Sequence, residues 1–492
     1  MENQKRKRHN QLKNLESEIL DLLIIGGGIT GAGVMLCATE QKYKTLLVDQ
    51  GDFSSGTSWA STKLVHGGLR YLETMDWALV FESCKERKRL LKEAPQLVHE
   101  LEFMFPAYSG QRRKLWTIWL GTWLYYFLSF FWNLGTPKKK SKAQSLRLEP
   151  GLKSDQLNGS VLYKDGQATD STLTISSIHS ACARGGHALN YCSVTRLTNI
   201  HEDVKHIELK DRISGDTYTV KAKNIVMAVG PWTDSLCKQW FDQKQDRIRL
   251  SKGVHIIVDT QEMSQKRAVA MLSPIDGRVT FAVPWEGKVL IGTTDTDETV
   301  LPHKVEVSDQ DRLYLLETFN HYFPQAKLGI TNIISSMAGL RCLIQSEDAK
   351  PSDSSREHLI QTHGTGIISI AGGKLTTYRA MGEEMMGKLR SMNRLQNQKP
   401  ETSEALHISG NLRELVKKDL TASSIDQLIE HFYCTNIEDL LARRTLHLFI
   451  DPNRGRNWVD LVAQRLQHAF DYSDQEIDDQ KRSYQKTSGR YS

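Results

Sequence analysis

Residues 21–25, DLLII, run straight into GGGITG at 26–31, and that junction constrains the fold more than any other part of the chain. The apolar run has the length and branching of a strand buried on both faces of a parallel sheet. Gly26, Gly28 and Gly31 carry the GxGxxG spacing. The first glycine permits a tight turn, the second lets a pyrophosphate reach the backbone, and the third lets the following helix pack closely on the strand. The anion then sits on the helix N-terminus. A helix through GAGVMLCATEQ and a second apolar strand, Lys44–Val48, follow, ending at Asp49, eighteen residues beyond Gly31. An acid placed there accepts both ribose hydroxyls of an adenosine. Strand, glycines, helix, strand and acid in that order predict dinucleotide binding by Gly26, Gly27, Gly28, Thr30, Gly31 and Asp49.

A nicotinamide enzyme continues with further alternating strands and helices, whereas here GDFSSGTSWASTK arrives at once, at 51–63. Its small hydroxyl residues suit the lining of a buried, extended cofactor, which favours FAD. Thr57, Ser58, Ser61 and Lys63 are the candidates in this stretch. The overlapping segment STKLVHGGLRYLE, 61–73, fits neither a helical nor a strand period and combines two cations, an imidazole, a phenol and paired glycines.

At 492 residues the chain is too long for one ordinary core; about 100 to 200 residues per domain implies several domains, interleaved or in series. With 39% hydrophobic residues, 25% charged and 12 prolines it belongs among folded globular proteins. Lys and Arg number 64 against 58 Asp and Glu, and a net charge of +6 is too mild to imply nucleic acid. Seven cysteines form no CxxC pair, which fits a reducing compartment and argues against a zinc or disulfide framework; no metal site is expected. The opening MENQKRKRHNQLKN lacks the apolar stretch of a secretory signal, so residues 1–19 are expected to be a solvated basic tail.

Two further junctions resemble cofactor contacts. Asn224 to Val229 is a strand ending at Gly230-Pro231-Trp232, a turn without side-chain bulk at its first position. Gly364 to Ala371 gives another strand, then Gly372-Gly373-Lys374 before an expected helix LTTYRAMGEEMMGKL. A lysine at a helix N-terminus opposes the dipole by about 0.3 to 1 kcal/mol, and a nearby anion reverses that sign. Gly230, Gly373, Lys374, Leu375 and Thr376 therefore join the cofactor-binding candidates. In MDWALVFESCKERKRLL, Trp77, Val80, Phe81, Cys84 and Leu91 share one helical face, expected to be core.

Through TSWASTKLVHGGLRYLE, 57–73, the chain resembles the FAD-dependent glycerol-3-phosphate dehydrogenases, respiratory flavoenzymes that feed electrons into quinone. The resemblance continues in AVGPWTD (228–234), SKGVHIIV (251–258), VLIGTTD (289–295), AGLRCL (338–343), AGGKLTTYR (371–379) and DLLARRT (439–445). It implies FAD as cofactor and glycerol 3-phosphate as substrate, with hydride passing from carbon 2 to flavin nitrogen 5 to give dihydroxyacetone phosphate. A dianionic phosphate calls for guanidinium forks, a need met by Arg70 and Arg341, with Lys374 as a point charge. The carbon 2 hydroxyl calls for a base, and an imidazole suits neutral pH. His66 is the first candidate and His255 the second, with acidification of the hydroxyl by Lys374 or Arg341 as the rival account. Tyr71 offers a phenol to orient substrate, and Gly67-Gly68 let the backbone approach the ring. One departure stands out: the family usually has proline after this arginine, where this chain has Cys342, which puts the shape of the turn in question.

Residues 115–134, LWTIWLGTWLYYFLSFFWNL, contain no charge, and nine of the twenty are aromatic. As a helix they would be about 30 Å long, enough to span a bilayer. A single crossing would strand Gly26 to Arg70 and Lys374 on opposite sides, although one flavin must touch both. Trp116, Trp119, Leu120, Trp123, Phe127, Phe130, Phe131 and Leu134 keep helical spacing, and Arg112-Arg113-Lys114 and Lys138-Lys139-Lys140 flank them. This pattern describes an in-plane anchor on a lipid surface, which suits a membrane quinone as acceptor and a peripheral, monotopic place on the cytoplasmic face of the inner membrane.

The expected fold is α/β plus α+β: a Rossmann-like FAD-binding domain of interleaved segments (20–95, 165–235 and 340–395), an antiparallel-sheet substrate or cap domain (96–164 and 236–339), and a C-terminal helical domain (401–492) whose last dozen residues fray. A quinone-linked glycerol-3-phosphate dehydrogenase is the leading expectation. An oxidase of the same fold that uses oxygen and a non-catalytic flavin sensor are the alternatives, and a homodimer stays open.

Overall fold

A computed structural model describes residues 3–72, 75–129, 132–300, 304–345, 358–396 and 420–491. Its first sheet has, in order, strands His358–Gly364, Ile367–Gly372, Thr217–Met227, Ile19–Ile25, Thr45–Val48 and His187–Leu189, with Cys192–Thr198 and Lys205–Asp211 extending it off Thr217–Met227. Ile25 lies between Met227 and Val48 in parallel register, so the carboxyl ends of three strands meet at the glycine turn. Both neighbours are apolar because both faces of the sheet are covered. Helix Ile29–Glu40 crosses helix Tyr378–Ser391 at small residues: a methyl on Gly382 would come within 2.6 Å of the Gly33 carbonyl.

The second sheet is mostly antiparallel. It runs Thr296–Asp297, Ile248–Val258, Lys288–Gly292, Val279–Trp285, Arg267–Leu272, Val98–Tyr108, Leu157–Ala168 and Leu64–Val65, with Ile333–Ile344 paired to Ile248–Val258 and Lys138–Ser141 to Leu157–Ala168. Val254, Ile256, Met271, Ile291, Leu315 and Phe319 form its core with helix Asp309–Tyr322. Leu64–Val65 and most of Ile333–Ile344 lie in or beside stretches expected for the cofactor unit, yet both hydrogen-bond into this sheet. The two units therefore share their connecting segments.

Several expectations need correction. Of the expected solvated tail at 1–19, the described residues from 3 on do not fit it: Gln4–Glu16 is a helix that buries Leu12 and Leu15, and its Arg8 Nε donates to Asp211 Oδ1 at 2.8 Å. As far as Tyr491, the end of the chain is a packed helix and not the frayed segment expected. Helix Asp474–Arg490 buries Ile477, Tyr484 and Ser488, and Tyr491 meets the Trp59 ring edge-on at 5.6 Å. The aromatic helix is Leu115–Leu128, 14 residues, or about 21 Å. Among the described residues no helix is long and apolar enough to cross a membrane. Phe130 and Phe131 lie outside the described residues, and Leu134 is buried. Trp77 and Phe81 are each 40% exposed, so the face expected to be core is only partly so.

The C-terminal helices are tied to the first sheet by a buried ion cluster. Asp52 receives Arg443 Nε at 2.5 Å and both terminal nitrogens of Arg444, while Arg443 also reaches Asp439 Oδ1 at 2.9 Å. Burial alone would raise the Asp52 pKa, but Arg444 and Arg443 hold it below its ordinary value. Asp52→Asn leaves buried Arg444 without the carboxylate it pairs with, while Arg443 keeps Asp439 and Glu438, a change that costs about 3 to 5 kcal/mol. The expected result is a urea midpoint lowered to match, with the C-terminal helices becoming sensitive to limited proteolysis first.

Candidate active site

The glycine turn shows why its spacing matters. Gly26 has φ +111 and donates its N–H to the Val48 carbonyl at 2.8 Å, and a side chain there would collide with the Ala228 carbonyl. A methyl on Gly31 would overlap the Gly26 carbonyl. Gly28 caps helix Ile29–Glu40, with half-buried Thr30 in its first turn, and Ser58 Oγ takes the Ile29 N–H at 2.9 Å. Asp49 accepts from Gly27 N at 2.7 Å and from Gly51 N at 2.8 Å. Burial nonetheless pushes its carboxyl up to about 6. Across the sheet Gly230 begins a turn with open space where a side chain would stand. A backbone cradle that side chains would fill, with an acid at its rim, fits an adenine dinucleotide.

From this cradle the chain crosses to the second sheet through residues 57–66. Thr57 Oγ1 donates to the Leu340 carbonyl at 2.6 Å, and a methyl on Gly339 would sit 2.9 Å from the Ala60 side chain. Ser61 and Lys63, expected to face the cofactor, send their side chains to Asp170 instead: Ser61 Oγ at 2.6 Å and Lys63 Nζ at 2.7 Å. Between them Thr62 Oγ1 lies 2.9 Å from His255 Nε2. The imidazole is buried, and the space it occupies exists because its strand partner is Gly292. Burial first, then the charges of Arg341 and Lys63, hold the His255 pKa well below its ordinary value, so the ring is neutral at physiological pH.

Arg341 is on the neighbouring strand. Its Nη2 donates to Thr293 Oγ1 at 2.7 Å and the Thr294 carbonyl at 3.1 Å, and its Nη1 to Asp295 Oδ1 at 3.2 Å. Gly253 leaves the room its guanidinium takes. Cys342 does not break the strand Ile333–Ile344, and burial pushes its thiol up to about 12, so it carries no thiolate chemistry at neutral pH.

His66 is fixed from the other direction. Its N–H donates to Thr376 Oγ1 at 3.1 Å, and that hydroxyl returns a bond to the His66 carbonyl at 3.3 Å. Thr376 follows the reversal at Gly372 and Gly373, with φ of +83 and +78, and Leu375 packs against the core. The helix starts at Tyr378, not Leu375, so Lys374 is not in its first turn and the dipole argument for that lysine falls. Burial raises the pKa of both Cys84 and Glu82, and the Lys374 charge is among those that oppose the rise. Arg70 and Tyr71 belong to the turn Leu69–Leu72, and their side chains lie outside the described residues.

One short loop thus joins two groups, His255 with Arg341 through Thr62 and His66 with Thr376. Sequence reasoning missed Thr62, Asp165, Asp170 and Asp295. The acids left a trace in YKDGQATDSTLTI, where Asp165 and Asp170 interrupt a stretch otherwise suited to burial.

Residues 21–379 match the family model described as FAD dependent oxidoreductase. The aerobic glycerol-3-phosphate dehydrogenase of Staphylococcus aureus strain USA300 is 36% identical over 381 residues, 77% of this chain and 68% of that protein. Among solved structures, the glycerol-3-phosphate dehydrogenase from Bacillus halodurans complexed with FAD superposes with a TM-score of 0.79 at 28% identity, covering 99% of this chain and 97% of that one. L-alpha-glycerophosphate oxidase from Mycoplasma pneumoniae with FAD bound shares the fold at 20% identity, with a TM-score of 0.62 over 79% of this chain and 98% of that one.

The Asp49 carboxyl titrates near 6, so the ionised acceptor is present above that pH and lost below it. Bound FAD is expected to leave progressively as pH falls through 6, read as the rise of free-flavin fluorescence. Asp49→Asn should bind FAD weakly at every pH and lose the step.

Proposed function

Because the chain belongs to the FAD-dependent oxidoreductases, and within them to the glycerol-3-phosphate dehydrogenases, we propose that it oxidises sn-glycerol 3-phosphate to dihydroxyacetone phosphate and passes the electrons to a membrane quinone. FAD, held by the glycine turn and Asp49, supplies the hydride acceptor. Arg341, already fixed by Thr293 and Thr294, offers the substrate phosphate a preorganised guanidinium. Lys374 adds a second cation, and Arg70 a third on the family pattern.

The observation that carries the reading is the neutral His255 ring held beside Arg341. Its Nε2 is engaged by Thr62, while its Nδ1 is buried without a hydrogen-bond partner among the described residues. A base must be unprotonated before it can accept the carbon 2 hydroxyl proton, and burial keeps His255 in that form. This moves His255 ahead of His66, whose backbone bonds to Thr376 suit it to shaping the turn.

The quinone is supported by the surface around the aromatic helix. Trp116, Leu120 and Phe127 are 59%, 58% and 62% exposed on one face. Exposed Arg112, Lys114, Lys138 and Lys139 stand on its flanks, and the helix start and the lysine strand meet at Gly159, where a methyl would come within 3.2 Å of the Leu115 side chain. Apolar aromatics ringed by cations fit an anionic lipid surface, here the cytoplasmic face of the membrane, where quinone is reached without a crossing.

Anaerobic glycerol 3-phosphate is expected to bleach the flavin absorbance of the purified protein; no bleaching sinks the substrate reading, and stoichiometric hydrogen peroxide without quinone reduction would make it an oxidase. His255→Asn should slow flavin reduction by about 10² to 10⁴-fold with FAD retained. Because the His255 pKa lies well below its ordinary value, kcat/KM should lack an acid limb near the ordinary histidine pKa, whereas an ordinary titration there would return the role to His66. Replacing Trp116, Leu120 and Phe127 by Ser should abolish cosedimentation with anionic vesicles and spare dye-linked activity.

A further inference from the structure

The aromatic helix has an inner face, and that face reaches the turn bearing His66. Ile118, Thr122 and Tyr125 are buried along it. A methyl on Gly67 would overlap the Tyr125 hydroxyl and stand 2.5 Å from Cys84 Sγ, so the phenol lies directly against the turn. The same hydroxyl donates to Asp165 Oδ2 at 3.2 Å and accepts from Arg87 Nη1 at 2.8 Å. Arg87 Nη1 also reaches Asp165 Oδ1 at 2.8 Å, and its Nη2 holds the Trp132 carbonyl just past the end of the helix at 2.8 Å. Asp165 Oδ1 in turn accepts the Gly67 N–H at 3.0 Å.

All of these groups are buried, Arg87 at 1%, Asp165 at 3% and Tyr125 at 5% exposure. An apolar trio of similar size would pack helix Trp77–Glu93 against Leu115–Leu128 as well or better. The polar trio adds a direction: it fixes one backbone amide of the turn, and it ties that amide to Tyr125 in the last turn of the aromatic helix and to Trp132 past its end. On the other side of the turn the next amide back, His66 N–H, is held by Thr376. A shift in the seating of the helix therefore changes Gly67 relative to Thr376, since bonds of fixed geometry cannot stretch to absorb it.

We propose that Tyr125 and Asp165 are positioning residues for the His66–Gly67 turn, and that through them the turn takes its substrate-binding shape when the outer face of the aromatic helix rests on anionic lipid. The inference rests on the reading above of the turn as part of the substrate site and of the helix as the lipid-facing element. A lipid-seated helix and an ordered turn are then one state, and the free protein samples the turn more widely.

The test uses the holoenzyme with and without phosphatidylglycerol vesicles, measuring backbone hydrogen exchange in residues 64–69 and the glycerol 3-phosphate concentration that half-saturates anaerobic flavin reduction. Vesicles should slow exchange in that segment severalfold and lower half-saturation in the unmodified protein. Tyr125→Phe should bind vesicles and FAD normally, lose both responses, and raise half-saturation about tenfold with a maximal rate changed less than about twofold. Asp165→Asn is expected to act in the same direction. Unchanged exchange of the unmodified protein on vesicles overturns the proposal, as does Tyr125→Phe that keeps both responses or alters thermal stability alone. If vesicles protect the turn but glycerol 3-phosphate never reduces the flavin, the substrate reading falls while the coupling stands.

Discussion

The carboxylate of Asp170 is the contact on which the site depends. It is fully buried and accepts the Ser61 N–H at 3.0 Å, the Ser61 hydroxyl, the Lys63 ammonium and the Ser171 N–H at 2.8 Å. Removing one partner of such a buried charge pair costs about 3 to 5 kcal/mol, because the other charge is then left unmatched. Lys63 has φ +59, a left-handed conformation uncommon for a residue with a side chain. Its ammonium also lies 5.3 Å from the Trp285 ring, which belongs to the other sheet. The loop is thereby pinned at its middle, and the contacts at its two ends, Thr57 with Leu340 and His66 with Thr376, are set by that anchor.

The two sheets contribute by different means. The parallel sheet presents the carboxyl ends of its strands, where backbone N–H groups and a helix N-terminus receive an anion. The antiparallel sheet contributes side chains from adjacent strands, and glycines opposite them make the room. His255 faces Gly292 across one register, and Arg341 fills the space beside Gly253, itself paired with Gly339. Gly339 in turn admits Ala60 of the connecting loop. A sheet that would otherwise close tightly is opened at three points, and the imidazole, the guanidinium and the loop each occupy one.

What could be read in the sequence follows from where each constraint acts. The GxGxxG turn was legible because its spacing is local, with Gly31 fixed by the Gly26 carbonyl five residues back, although what forbids a side chain at Gly26 is the distant Ala228 carbonyl. Arg341 and His255 were legible through family motifs, but their mutual approach was not, since it arises from the pairing of strands far apart in the chain. The N-terminal helix hid behind its charge, for its buried residues are only Leu12, Leu15 and Arg8, whose guanidinium is itself covered, and the rest is polar. Tyr491 gave no sign of order because its partners, Trp59 and Phe449, are distant in sequence. Lys374 misled in the opposite way: the run LTTYR continues a helical composition, but the double glycine reversal delays the helix until Tyr378.

The roles proposed for His255 and Arg341, base and phosphate ligand, are coupled by their nearness. In the free site burial is the larger cause of the low His255 pKa and the Arg341 charge adds to it. A phosphate dianion on Arg341 would offset the Arg341 contribution and leave burial and the Lys63 charge. The ring would then gain proton affinity in the presence of the substrate whose hydroxyl it must deprotonate. Before binding, the same ring stays neutral and takes no proton from water, so it does not add a further cation beside Lys63 and Arg341. On the proposed reading, placing the two residues on adjacent strands makes base strength depend on substrate binding through charge alone, with no movement of the sheet that carries them.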